Sequence, residues 1–116
     1  MVGSRGLRPF DSIAAQMQFL LDLYGSKLEI VSGGAHGVDK TVEVVANELG
    51  VYTDIFRVSN AEWDEFGKEA GIMRNKKMIA TVERVYAWWD GKSRGTQQAI
   101  RFAQNRMMPV FVTEIR

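Results

Sequence analysis

No cysteine occurs in these 116 residues. Disulfides, thiolate metal sites and cysteine nucleophiles are therefore excluded. With one histidine in the chain, a zinc site would have to be built mostly from carboxylates, so neither a metal nor a resident cofactor is expected. Charge of one sign is missing too. Fifteen lysines and arginines against fourteen acidic residues leave a formal net charge of +1, too little to draw in nucleic acid or an anionic membrane by global attraction. No apolar run reaches the roughly 18–20 residues that span a bilayer, and no charged-then-apolar leader opens the chain. The expectation is a cytoplasmic protein with no membrane partner.

What is present suits one folded domain spanning residues 1–116. Hydrophobic residues make up 46% and charged residues 25%, which is enough to build a core and argues against disorder. Asp11 can cap a helix that runs to Tyr24, where Gly25 ends it. "KLEIVSG" reads as a strand. From Val38, apolar Val42, Val45, Ala46 and Leu49 recur at helical spacing until Gly50. "VYTDIFRV" alternates only in part, as an edge strand does. A loop carrying Trp63 and Asp64 follows, then a helix over "GKEAGIMRNKKMIATV" and a strand over "RVYAWWD". A last helix spans Thr96 to Met107, and Pro109 opens the strand "PVFVTEI". Strand and helix alternate throughout, which predicts an α/β fold with a parallel sheet and helices on both faces. The first strand is a stub, because only Met1 and Val2 precede "GSRG".

In such folds ligands bind at the carboxyl ends of the strands. Four loops follow strands here: "GSRG", "SGGAHGVD", the Trp63 loop and "WDGKSRGT". Glycine before a helix lets main-chain N–H groups approach an anion, aided by the positive end of the helix dipole. "SGGAHGVD" and "GKSRGT" are both units of this kind, although neither is a dinucleotide fingerprint nor a P-loop. Arg5 and Arg94 can fork onto phosphate. Ser4, Ser93 and Thr96 supply hydroxyls, with Thr96 also suited to capping. His36 serves as a general base or shapes its loop. Asp39 caps its helix or meets a ribose hydroxyl. Trp63 stacks on a base or closes the core edge, whereas Trp88 and Trp89 read as packing residues.

"VGSRG", "VSGGAHGVD", "AEWDEFGKEAGIMRNKKM" and "WWDGKSRGT" together resemble the SLOG superfamily of Smf/DprA-like and LOG-like proteins. The likeness is to its small single-domain branch related to YspA and YpsA, found in bacteria and phages, and it covers Val2 to about Val112. It implies a Rossmann-like, doubly wound, five-stranded parallel sheet in the order 3-2-1-4-5 with a truncated first strand. It also implies a nucleotide or nucleotide-derived ligand, such as ADP-ribose or a nucleoside phosphate, held by a sensor or sequestering protein. The ligand positions it implies are Gly3, Ser4 and Arg5; Gly33, Gly34, Gly37 and Asp39; Asp64, Arg74 and Asn75; and Gly91, Ser93, Arg94, Gly95 and Thr96, to which His36 and Trp63 are added from the residues themselves. Homodimers or larger assemblies are common in the superfamily and are expected here.

The resemblance carries two alternatives. LOG-type enzymes cleave an N-glycosidic bond with a P-G-G-x-G-T-x-x-E motif, but this chain reads "DGKSRGTQQA", with Ala99 where the glutamate belongs. The catalytic residues of a LOG-like hydrolase are therefore unassigned, with Asp64, Glu69 and His36 as substitutes. DprA-like binding of single-stranded DNA would have to use the cluster Arg74, Lys76 and Lys77, against a net charge of +1 that gives little non-specific affinity.

Overall fold

The computed structural model describes residues 1–4, 6, 8–34 and 37–115. In chain order the elements are β1 (Val2–Gly3), α1 (Phe10–Tyr24), a 3-10 turn (Gly25–Lys27), β2 (Glu29–Ser32), α2 (Val38–Leu49), β3 (Tyr52–Ile55), α3 (Asn60–Phe66), α4 (Lys68–Ala80), β4 (Val85–Trp89), α5 (Arg94–Asn105) and β5 (Val110–Glu114). Every strand pair is parallel, so the α/β reading with a parallel sheet holds.

The continuous five-stranded sheet does not form as one ladder. A three-stranded ladder runs β1-β4-β5 and a separate two-stranded ladder runs β2-β3. The reason lies in β1. Its two residues, Val2 and Gly3, pair with Ala87 and Trp88 of β4, and a strand this short has too few groups to ladder on both edges. Toward β2 it sends one bond, from the Met1 amino group to the Val31 carbonyl at 2.7 Å.

Side chains of β4 alternate between two cores, as the period of two in a strand requires. Trp88 enters a cluster with Ile13, Met17 and Leu20 of α1 and Val38, Val42 and Val45 of α2. Val85 and Ala87 enter another with Met78 and Ile79 of α4 and Ala99, Ile100 and Ala103 of α5. Helices thus cover both faces of β4. The buried Trp88 indole donates to Ser12 Oγ at 2.8 Å, which agrees with a packing role.

Three local readings are corrected. Pro9 occupies the N-cap of α1 and Asp11 lies in its first turn; proline lacks the N–H that a helix start leaves unused. The last helix begins at Arg94 rather than Thr96. Trp63 sits on α3, not in a loop. Ser59 and Glu62 form a capping box there, with Glu62 N–H donating to Ser59 Oγ at 3.1 Å and Ser59 N–H to the Glu62 carboxylate at 3.2 Å. The Ser59 N–H and the Ser59 hydroxyl, both donating to it, hold the Glu62 carboxyl below the usual carboxylate range.

One polar group runs against the core. The Ser32 hydroxyl at the end of β2 is fully buried and has no hydrogen-bond partner among the described residues. An unpaired buried hydroxyl keeps its desolvation cost. Ser32→Ala is therefore expected to leave stability unchanged or raise it by about 1 kcal/mol, read from the urea midpoint.

Candidate functional site

A cleft of about 500 Å³ opens at the carboxyl end of β1, walled by α3 and α4 on one side and the start of α5 on the other. Its lining includes Gly3, Asp39, Trp63, Arg74, Asn75, Ser93, Arg94, Gly95 and Thr96. Nine of the sequence-read positions, drawn from five separate segments, therefore converge. Val2, Lys68, Gly71, Ile72, Met78, Gln98 and Ala99 complete the described wall and had not been singled out for binding. For those on α4 the signal was helical spacing: Lys68, Gly71, Ile72 and Met78 share one face with Asn75 at intervals of three and four.

Trp63 is held by α3 and its ring edge lies 3.6 Å from where a Cβ on Gly71 would stand. It lines the cleft and remains 39% exposed. Asn75 is buried and ties the two walls together: its amide donates to the Gly95 carbonyl at 3.4 Å and its oxygen accepts from Arg74 Nε at 2.8 Å. Arg74 also donates to the carbonyls of Gly33 at 2.6 Å and Phe56 at 3.4 Å. It is thus an internal strut, which takes it out of the proposed Arg74, Lys76, Lys77 surface cluster. Lys76 lies over the Phe102 ring at 5.3 Å.

Among the described residues, the groups nearest the glycine loop are side chains of the protein itself. A Cβ on Gly33 would stand 2.5 Å from Arg74 Nη1 and 3.1 Å from an Asp39 carboxylate oxygen. A Cβ on Gly34, at φ +71°, would stand 2.8 Å from Ile55 and 2.9 Å from Arg57. Arg57 itself donates to the Gly34 carbonyl at 3.3 Å and pairs with Glu43 at 3.0 Å. The protein's own guanidinium groups occupy the space these glycines leave. Gly33, Gly34, Gly37 and Gly91 are not in the cleft wall, nor are Asp64 and Glu69. Arg5 and His36 lie outside the described residues.

At α5 the loop is built by Asp90. Its carboxylate accepts from the N–H groups of Ser93 and Lys92, both at 2.8 Å. Its own N–H donates to Ser4 Oγ at 3.1 Å, and the Trp89 indole donates to the Ser93 carbonyl at 2.9 Å. Ser4 is buried and acts on the loop rather than in the cleft. Ser93 Oγ and Thr96 Oγ1 lie 3.2 Å apart, and Ser93 makes no side-chain cap bond. The first turn of α5 carries no acidic residue, and the one carboxylate described at its start, Asp90, is engaged by the N–H of the N-cap residue Ser93. Asp90 was missed; an Asp-Gly pair before a helix is the turn signal that could have found it.

The N–H groups of Ser93 and Lys92 hold the Asp90 carboxyl below the usual carboxylate range. A folded pKa below the unfolded one means that the unfolded chain binds more protons in this window. The contribution of Asp90 to stability is thus full above the ordinary carboxylate value and lost as pH falls through its depressed folded value. NMR titration is expected to give Asp90 a midpoint below that of the urea-unfolded chain, and Asp90→Ala is expected to broaden the Lys92 and Ser93 amide signals.

Among known proteins, the chain is similar to the Gene 61 protein of Mycobacterium phage D29, with 35% identity over 88 residues that cover 72% of this chain and 69% of that protein. No protein-family model matches, and no solved structure matches significantly.

Proposed function

The chain belongs to the family of the Gene 61 protein of Mycobacterium phage D29, and we propose that it is a SLOG-type domain that binds a nucleotide or nucleotide-derived ligand as a sensor or sequestering protein. One observation carries the reading: a single cleft joins the partly exposed indole of Trp63 to the start of α5 with Ser93, Arg94 and Thr96. An aromatic face takes a base, and a helix start with an arginine takes a phosphate. Lys68 adds a second exposed cation. The 2.7 Å bond from Met1 to Val31 supports reading the two ladders as halves of one sheet in the order 3-2-1-4-5.

Binding is favoured over LOG-type hydrolysis by the charges in the wall. Ala99 is a buried wall residue at the position of the LOG glutamate. Asp39 is the carboxylate among the described lining residues, and it is buried beside Arg74 and Gly33. Calorimetric titration with AMP, ADP-ribose, NAD and cyclic nucleotides tests the proposal. Saturable binding of at least one, without release of free base, is expected. No binding by any of them, or base release at catalytic rates, would overturn it. A ligand at 100 times its dissociation constant should raise stability by about 2.7 kcal/mol.

A further inference from the structure

Among the described residues, the strand β5 ends its ladder, with β4 as its neighbour. Of its residues Val110, Phe111, Val112, Thr113 and Glu114, all but Val110 are exposed, and they include no lysine, arginine or proline. Phe111 is 52% exposed and Val112 45%. Those two side chains point to opposite faces, so beyond Val110, which packs against the α4 and α5 core, both faces of the strand keep an exposed apolar side chain. Long, apolar, ungated edges are the ones that recruit another strand. The strand at the end of the other ladder, β3, is shorter and carries Asp54 in its middle.

We propose that β5 pairs with β5 of a second copy of this chain, antiparallel about a two-fold axis at Phe111, to join the two three-stranded ladders across the dimer. The hydrogen-bond phase supports this register. The Pro109 carbonyl accepts from Val85 N–H at 3.0 Å, and Ile115 N–H donates to the Trp89 carbonyl at 2.8 Å. Alternation along the strand then turns the main-chain groups of Phe111 and Thr113 toward β4, and those of Val110, Val112 and Glu114 outward. With the axis at Phe111, Val110 meets the partner's Val112 as a hydrogen-bonded pair on each side, and Phe111 meets the partner's Phe111 as the close, non-hydrogen-bonded pair between them.

The side chains match the same register. Aromatic meets aromatic and β-branched meets β-branched, the pairings that favour strand association. Tyr86 already stacks on Phe111, with centroids 5.0 Å apart and planes 17° apart, so the contact extends an existing aromatic row. Glu114 falls opposite the partner's Met108, and no like charges oppose each other. The self-matching sequence is what selects a second copy over an unrelated strand.

The absence of cysteine makes the test clean. Light scattering at tens of micromolar is expected to give a dimer mass for the parent chain. Phe111→Cys is expected to form a disulfide-linked dimer under mild oxidation, because Cα atoms of such a pair lie about 4.5 Å apart, within disulfide reach. Thr113→Cys, opposite the partner's Pro109, is expected to stay uncrosslinked. Val112→Lys, at an exposed position, is expected to weaken the dimer roughly tenfold or more with an unchanged circular dichroism spectrum. A monomeric parent, a Phe111→Cys protein that stays uncrosslinked, or crosslinking at 113 in preference to 111 would overturn the proposal, whether or not the lysine variant folds.

Discussion

Gly3→Ala is expected to cost about 3 kcal/mol and to lower the melting temperature by about 10 °C. A Cβ at this position would stand 2.5 Å from both Cβ and Cγ2 of Val38 and 2.6 Å from the Trp88 carbonyl oxygen. None of these atoms is the free end of a flexible side chain. Val38 is the first residue of α2 and is fully buried. The Trp88 carbonyl accepts Ser4 N–H at 3.0 Å, while the Ser4 carbonyl accepts Val38 N–H at 3.4 Å. The added methyl must therefore push β1 away from β4 or α2 away from β1, and either shift spoils a junction that the two-residue strand can barely hold. Urea and thermal unfolding measure the loss. An alanine variant as stable as the parent would show that the junction has slack the geometry does not suggest.

The same residue shows how far sequence reasoning reached. Gly3 was read as a ligand position, and it does line the cleft, but its lack of a side chain is also required by α2. A glycine announces a close approach without saying by what. In "SGGAHG" the approaching groups are Arg57 and Arg74, 23 and 41 residues along the chain from the carbonyls they bond; no local pattern encodes such pairings. Elements with clean periodicity were legible. The stop of α2 at Gly50 and the apolar face of α1 follow from spacing alone. Helix α3 was not seen, because seven residues give no periodic signal, yet Ser59 and Glu62 spelled its capping box. The break between β2 and β1 could not be read from composition, since it depends on how many partners two residues can satisfy.

Arg94→Ala is expected to weaken AMP or ADP-ribose binding roughly 10- to 150-fold, the range for losing a charge-assisted contact, and Trp63→Ala roughly 5- to 150-fold through lost stacking. Both side chains are exposed in the cleft, so the urea midpoint should not move. Gly34→Val is expected to behave in the opposite order. At φ +71° with Ile55 and Arg57 within 3 Å of the new Cβ, a β-branched residue strains the backbone and expels the guanidinium. Stability should fall first, with affinity following it. Calorimetry paired with urea unfolding on the three variants separates the two roles. Loss of binding at constant stability for Arg94 and Trp63 assigns the ligand to the α5 cleft. If both variants bind as the parent does while Gly34→Val loses binding at unchanged stability, the glycine loop is the phosphate seat after all, and Arg57 and Arg74 must move aside when the ligand arrives.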